Sequence, residues 1–251
     1  MKVFITGGTT GIGWSLAQNY LSDGHYVAVC GRNLSKLPEN YREKCPRLSG
    51  YSVDVTDRDG LVAAVQTFAN SGEKGLDIMV ANAGISVGSK TRIPQFSAAV
   101  KIMNVNVIGV LNTMEGALEI MRAQGHGHIV AVSSVAGFVG LPGAAAYSAS
   151  KSAVTTLMES WSIDLAPENI AVTTICPGFI DTPLTQQNPH AMPFMMSSEK
   201  GAQIIRRAID KKKALLLFPW QMRWLILFLN KLPRFIYRRI MTLPFANFSK
   251  G

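Results

Sequence analysis

The chain has 251 residues, 47% of them hydrophobic and 16% charged, enough to bury a core as a single α/β domain. Its formal net charge of +9 is confined to one end: residues 1–205 carry 14 Lys/Arg against 15 Asp/Glu, residues 206–251 carry 11 against 1, so the domain is not a basic nucleic-acid binder. Cys30, Cys45 and Cys176 are odd in number and widely spaced, with no CxxC pair and no His at metal-ligand spacing, which excludes a disulfide framework and a zinc site.

In chain order, MKVFITGG offers three apolar residues before a threonine-glycine turn, too few for a signal-peptide core, so a reducing, cytoplasmic location is expected. The first β-rich run, VFIT (3–6), enters Thr6-Gly7-Gly8-Thr9-Thr10-Gly11-Ile12-Gly13, after which Ile12, Leu16, Ala17 and Tyr20 keep helical spacing up to Gly24. Glycines between a first strand and a first helix let the backbone turn tightly and approach a pyrophosphate, whose charge meets the N–H groups and dipole of the helix N-terminus. The second run, YVAVC (26–30), ends in Cys30-Gly31-Arg32-Asn33. A strand end that prefers NAD carries an acid for the ribose 2′-hydroxyl; here the Arg32 guanidinium can pair with a 2′-phosphate and stack on adenine, which favours NADP.

Five more runs follow: YSVDV (51–55), DIMVA (77–81), HIVAVS (128–133), IAVTTIC (170–176) and LLLF (215–218). Between them, helical spacing recurs in Leu61, Ala64, Val65 and Phe68, in Val107, Val110, Leu111 and Met114, and in Ala153, Leu157 and Trp161. Strands alternating with helices predict one α/β, doubly wound domain over 1–218, a Rossmann-like parallel seven-stranded sheet with helices on both faces. A basic, apolar helical extension, 219–251, completes the chain.

Within YSASKSAV (147–154), Tyr147 and Lys151 are four apart and share one helix face. A free phenol titrates near pH ~10, and an adjacent ammonium favours the phenolate, so the spacing predicts a tyrosine lowered toward working pH as general acid or base. Gly143, Ala144, Ala145, Ala146, Ala149 and Ala153 leave room for a nicotinamide and a substrate.

Several motifs now stand in order: TGxxxGxG at 6–13, Asn82-Ala83-Gly84, Asn106, Ser134 followed by Tyr147 and Lys151, and Pro177-Gly178 with Thr182. From Lys2 to about Thr182 the chain resembles the short-chain dehydrogenase/reductase family in its smaller single-domain branch. The resemblance implies a cofactor site built by Gly7, Thr9, Thr10, Gly11, Ile12 and Gly13, with Asp54 and Val55 at the adenine and Asn82, Ala83 and Gly84 on the adenine-ribose side. Pro177, Gly178 and Thr182 belong to the same site, and Tyr147 and Lys151 face the nicotinamide ribose. Thr10 departs from the pattern, since many NADP-preferring relatives have a basic residue there. The implied catalytic set is Asn106, Ser134, Tyr147 and Lys151: Tyr147 gives its proton to the forming alkoxide, Ser134 holds that oxygen, Lys151 lowers the tyrosine, and Asn106 kinks its helix and keeps a proton-relaying water. A homodimer or homotetramer is implied, with Leu157, Trp161 and Val110 open to interface or core.

The family places a substrate lid at about 182–200. Met192, Phe194, Met195 and Met196 there suit a hydrophobic substrate, a lipid-like ketone, steroid or acyl chain, or else pack on their own domain. His126, His128 and His190 lack partners at catalytic spacing and are read as structural. The tail segment ALLLFPWQMRWLILFL (214–229) has thirteen apolar residues of sixteen, short of the ~20 needed to span a bilayer. A helix from about Trp220 and another at 234–241 fit a membrane interface, or equally a surface buried against a second subunit or over the substrate site. The reading is an NADP-dependent oxidoreductase interconverting a carbonyl and a secondary alcohol on an apolar small molecule. The rival is a non-enzymatic NADP-binding regulatory or membrane-associated protein on the same fold; an epimerase or dehydratase of the longer branch is disfavoured by length and glycine spacing.

Overall fold

Runs of β-branched and aliphatic residues without polar alternation suit strands covered on both faces, where every side chain leaves water. The computed structural model describes residues 1–86, 95–187 and 192–243; Pro189 and His190 of the expected lid, and the tail after Leu243, lie outside the described residues. Along the chain run β1 (Lys2–Thr6), α1 (Gly11–Ser22), β2 (Tyr26–Gly31), α2 (Glu39–Lys44), β3 (Leu48–Ser52), α3 (Arg58–Asn70) and β4 (Ile78–Ala81). Then come α4 (Phe96–Met103), a π-helical turn (Asn104–Ile108), α5 (Gly109–Gln124), β5 (Gly127–Val132), α6 (Ala145–Asp164) and β6 (Ile170–Pro177). The last are β7 (Ile180–Asp181), β8 (Met196–Ser197), α7 (Ser198–Asp210), β9 (Leu215–Phe218), α8 (Trp220–Lys231) and α9 (Arg234–Met241).

Seven strands form one parallel sheet in the order β3-β2-β1-β4-β5-β6-β9, as the alternation of elements predicts. Successive residues point to opposite faces. Phe4, Ala28, Met79, Ala81, Ile129 and Ala131 join Leu61, Val65 and Phe68 of α3 and Val110, Met114 and Met121 of α5 in one core layer. Val3, Ile5, Val27, Val29, Ile78, Val80 and Val130 join Leu16, Ala17 and Tyr20 of α1 and Ile205 and Ile209 of α7 in the other. Strand order reverses between β1 and β4, so the chain leaves their carboxyl ends toward opposite faces and opens a crevice there.

Two details differ from the sequence expectations. The third strand pairs with β2 over Leu48–Ser52 rather than 51–55; Val53 and Val55 keep the apolar alternation and pack on the core, but the ladder ends before them and Asp54 turns the chain by accepting from the Thr56 N–H at 2.9 Å. On α6 the buried stripe is Lys151, Val154 and Met158, one position away from Ala153, Leu157 and Trp161. Of the alternatives left open for Val110, interface or core, the structure shows core. The short β7–β8 pair is an addition that two-residue strands give periodicity no means to announce.

The run Phe96–Gln124 is long and apolar enough to cross a bilayer by length and composition, yet its α5 part lies in the core against α3. Lys2 ties the sheet to the opposite end of α3. Its Nζ donates to four carbonyl oxygens, Phe68 (2.6 Å), Ala69 (3.0 Å), Ser71 (2.7 Å) and Glu73 (2.9 Å), and lies 4.8 Å from the Phe68 ring centroid. A helix C-terminus leaves such carbonyls unpaired and carries partial negative charge, and this buried ammonium answers both. Replacing Lys2 with Met keeps the stem but takes the ammonium from Ser71 O and Glu73 O, while Phe68 O and Ala69 O keep the Ser71 and Gly75 N–H groups, a loss of about 2–3 kcal/mol. Thermal melting of Lys2→Met should therefore fall by roughly 5–10 °C; a shift within about 1 °C would show the cap to be dispensable.

Candidate active site

The crevice is built first by what is missing from its backbone. Gly7 sits at φ +62, and a Cβ there would come within 2.8 Å of Ala83 Cα; at Gly13 a Cβ would stand 2.5 Å from the Asn82 side-chain nitrogen and 2.6 Å from Gly7 O. Glycine alone lets α1 close on the β1 and β4 tips. Those tips are also laced together. Thr6 Oγ1 accepts from the Asn82 and Ala83 N–H groups at 3.1 and 3.3 Å, and Asn82 Nδ2 donates to Thr6 O and Gly7 O at 3.0 and 3.1 Å.

Over these tips lies a cleft of about 620 Å³. Beyond β2 it is lined by Arg32, Asn33 and Lys36 with Asp54 and Val55, over β1 and β4 by Gly7, Thr9, Thr10, Gly11 and Ile12 with Asn82, Ala83, Gly84 and Thr182, and at the far end, beyond β5 and β6, by Ser134, Tyr147, Lys151, Pro177 and Gly178. Two expected residues stand behind it: Gly13 inside α1, and Asn106 in the π turn. Lys36 and Ser150 escaped the sequence reading. The first is a cation four positions past Arg32 in a loop; the second is a small polar neighbour of Lys151, distinguished only by its hydrogen bonds.

An anionic dinucleotide fits this surface. The first turn of α1 carries no acidic residue and Thr10 makes no side-chain cap, so the N–H groups of that turn remain for an anion. Arg32 is exposed, its Nε 4.0 Å from Asp54 Oδ2, and Lys36 lines the same end, so two cations flank the position a 2′-phosphate would take.

At the far end three elements converge. Ser134 follows β5, and its Oγ accepts from the Ala136 N–H at 3.1 Å. Lys151 of α6 is buried, with Nζ donating to Val132 O at 2.8 Å and lying 5.8 Å from the Tyr147 ring centroid. Burial lowers the lysine to about 8. Burial also raises the Tyr147 phenol, against a hydrogen bond from Ser134 that lowers it. The sequence expectation of a tyrosine lowered by its lysine is thus corrected: desolvation is the larger effect, and the ammonium faces the ring.

Asn106 acts as a clamp. Its Oδ1 accepts from the Ile85 N–H at 2.8 Å, and its Nδ2 donates to Ile85 O and to Ser150 Oγ, each at 3.0 Å; Ser150 Oγ in turn donates to Tyr147 O at 2.7 Å. The widened turn at 104–108 is the helix irregularity expected there. His128 is buried in β5, bonded through Nε2 to Thr173 Oγ1 at 2.8 Å and pushed down to about 4 by burial, away from the cleft.

Known proteins resemble this chain in sequence and fold. A short chain dehydrogenase family model matches residues 1–193. An uncharacterized oxidoreductase of Myxococcus xanthus is 36% identical over 224 residues, 87% of each chain. The 2-(R)-hydroxypropyl-CoM dehydrogenase of Xanthobacter autotrophicus is 35% identical over 195 residues, 72% of this chain and 75% of its own. The solved structure of ElxO with NADP bound superposes with a TM-score of 0.77 at 26% identity, covering 86% of this chain and 96% of that one. With a family model matched over residues 1–193 and a relative aligned along most of its length, the chain belongs to the short-chain dehydrogenase family.

Proposed function

We propose that the protein is an NADP-dependent oxidoreductase that interconverts a carbonyl and a secondary alcohol on an apolar small molecule. The observation that carries this reading is the meeting of Ser134, Tyr147 and a buried Lys151 at the end of a cleft whose other end holds two cations. Gly7, Thr9, Gly11, Ile12 and Arg32 would hold NADP, which when bound would supply the hydride for the carbonyl carbon. Ser134 Oγ holds the carbonyl oxygen, Tyr147 gives that oxygen its proton, and Lys151, lowered to about 8, restores the proton to Tyr147 at neutral pH. Asn106 positions Tyr147 through Ser150, whose hydroxyl reaches the Tyr147 carbonyl.

The apolar substrate is supported by Ile85, Ile180 and Leu184 along the substrate end of the cleft and by the nearby methionine-rich segment assigned here as the lid. NADP is supported by Arg32 and Lys36, and by the NADP held in the ElxO structure. A homo-oligomer is supported by Phe96, Val100, Met103 and Ile108, large apolar side chains exposed on α4 and the π turn.

With a ketone panel and NADPH, Tyr147→Phe should lower turnover by about 10²–10⁴-fold while NADPH binding stays within a few-fold, read by absorbance and by tryptophan quenching. Turnover within a few-fold of wild type would end the assignment. Arg32→Ala should weaken NADPH by roughly ten- to a hundredfold and leave NADH nearly unchanged, measured by titration of both. The pH profile has a defined sign: the proton-donating pair is filled at low pH and emptied as pH rises, so kcat/KM for ketone reduction should fall above about 8, where Lys151 loses its proton. A profile still rising there would overturn the role given to Lys151.

A further inference from the structure

The two tail helices have unlike faces. Inward, Met222 and Ile226 of α8 and Tyr237 of α9 are buried with Val135 and Val139 from the loop after Ser134. The Tyr237 hydroxyl donates to Gly140 O at 2.6 Å, pinning α9 to that loop. These contacts fix which way the helices present their other side. Outward, Trp220, Trp224 and Phe228 recur every four residues along one stripe of α8, 68%, 65% and 62% exposed, and Phe235 of α9 is 74% exposed. Arg223, Lys231, Arg234, Arg238 and Arg239 are exposed on the same two helices and their junction, and residues 219–243 contain no Asp or Glu. The Arg223 guanidinium lies 5.9 Å from the Trp224 ring centroid.

We infer that this outer face docks the protein on an anionic lipid bilayer surface. Exposed indole and phenyl rings cost free energy in water and enter the boundary between headgroups and acyl chains, while guanidinium and ammonium groups beside them meet lipid phosphates. The α8 helix has 12 residues, about 18 Å, too short to span, so it lies in the surface plane. A second copy is the poorer occupant, because two such faces meeting about a twofold axis would set five cations against five with no acid between them. The inference does not depend on the reaction in the cleft.

The test is flotation of the full chain with vesicles of phosphatidylcholine alone or with about a third phosphatidylserine, at low and at ~0.5 M salt. The protein should float with the anionic vesicles, several-fold less with the neutral ones and less at high salt, and its tryptophan emission should shift to the blue as Trp220 and Trp224 leave water. Two variants, Trp220/Trp224/Phe228/Phe235→Ser and Arg234/Arg238/Arg239→Glu, should each lose about tenfold or more in vesicle partition. Because the replaced side chains are exposed, both should melt close to wild type. Wild type that stays at the bottom of the gradient, or variants that float as it does, would overturn the inference. So would a wild-type dimer, absent from vesicles, that the aromatic variant splits in light scattering, which would assign the face to a second copy.

Discussion

The ammonium of Lys151 sits out of water beside the carboxyl end of β5, donating to Val132 O at 2.8 Å. An isolated buried charge costs several kcal/mol, so the lysine is pushed down to about 8 and its surroundings are held closely. Ser133 Oγ and Thr155 Oγ1 both donate to the Lys151 carbonyl, at 2.8 and 3.0 Å. A Cβ at Gly137 would lie 2.8 Å from Lys151 C, and one at Gly84 would lie 3.4 Å from Nζ. The small residues of YSASKSAV follow from this constraint, since α6 reaches β5 and its following turn only where side chains do not hold it off.

Tyr147 shows how the same burial redistributes protons. Neighbouring opposite charge favours a phenolate, but taking the phenol out of water disfavours it, and here the second effect is the larger. With the lysine lowered and the tyrosine raised, the order in which the two groups lose their protons moves toward lysine first. Under the proposed reaction, Tyr147 is then a standing acid at neutral pH and Lys151 the labile store behind it. The Ser134 hydroxyl, whose hydrogen bond lowers the phenol, is in that proposed reaction the group that holds the substrate oxygen, so under the proposal substrate and tyrosine compete for one hydrogen-bonding partner.

Much of this was legible because its signals are local. Strand and helix periods, the glycine turn, and a lysine one helical turn from a tyrosine are set within a dozen residues, and the sheet followed from their alternation. The errors arose where distant partners decide. The end of β3 depends on register with β2, which stops at Gly31↔Ser52. The buried stripe of α6 shifted by one position because a polar residue, Lys151, occupies it. Lys2 carried no signal in the sequence, because its four acceptors lie 66 to 71 residues away. Lys36 joined Arg32 only once the loop after β2 folded back over the cleft.

The tail is the case in which composition was clear and its meaning was not. Hydropathy counted apolar residues all round α8, and only the fold divides them into Met222 and Ile226 facing in and Trp220, Trp224 and Phe228 facing out. The inner half is a structural wall for the domain: a Cβ on Gly178 would sit 3.0 Å from Met222 Cγ, directly behind the cleft, and Val135 is packed within a residue of Ser134. Removing the tail would uncover Val135, Val139 and Phe179 beside the proposed catalytic serine. The outer half contributes no such packing, and it is there that the unbalanced positive charge collects. A segment needed only to close the domain would gain nothing from exposed Trp220 and Trp224 on helices that carry five exposed cations, so packing accounts for the inner face and the outer face is left to the proposed lipid surface.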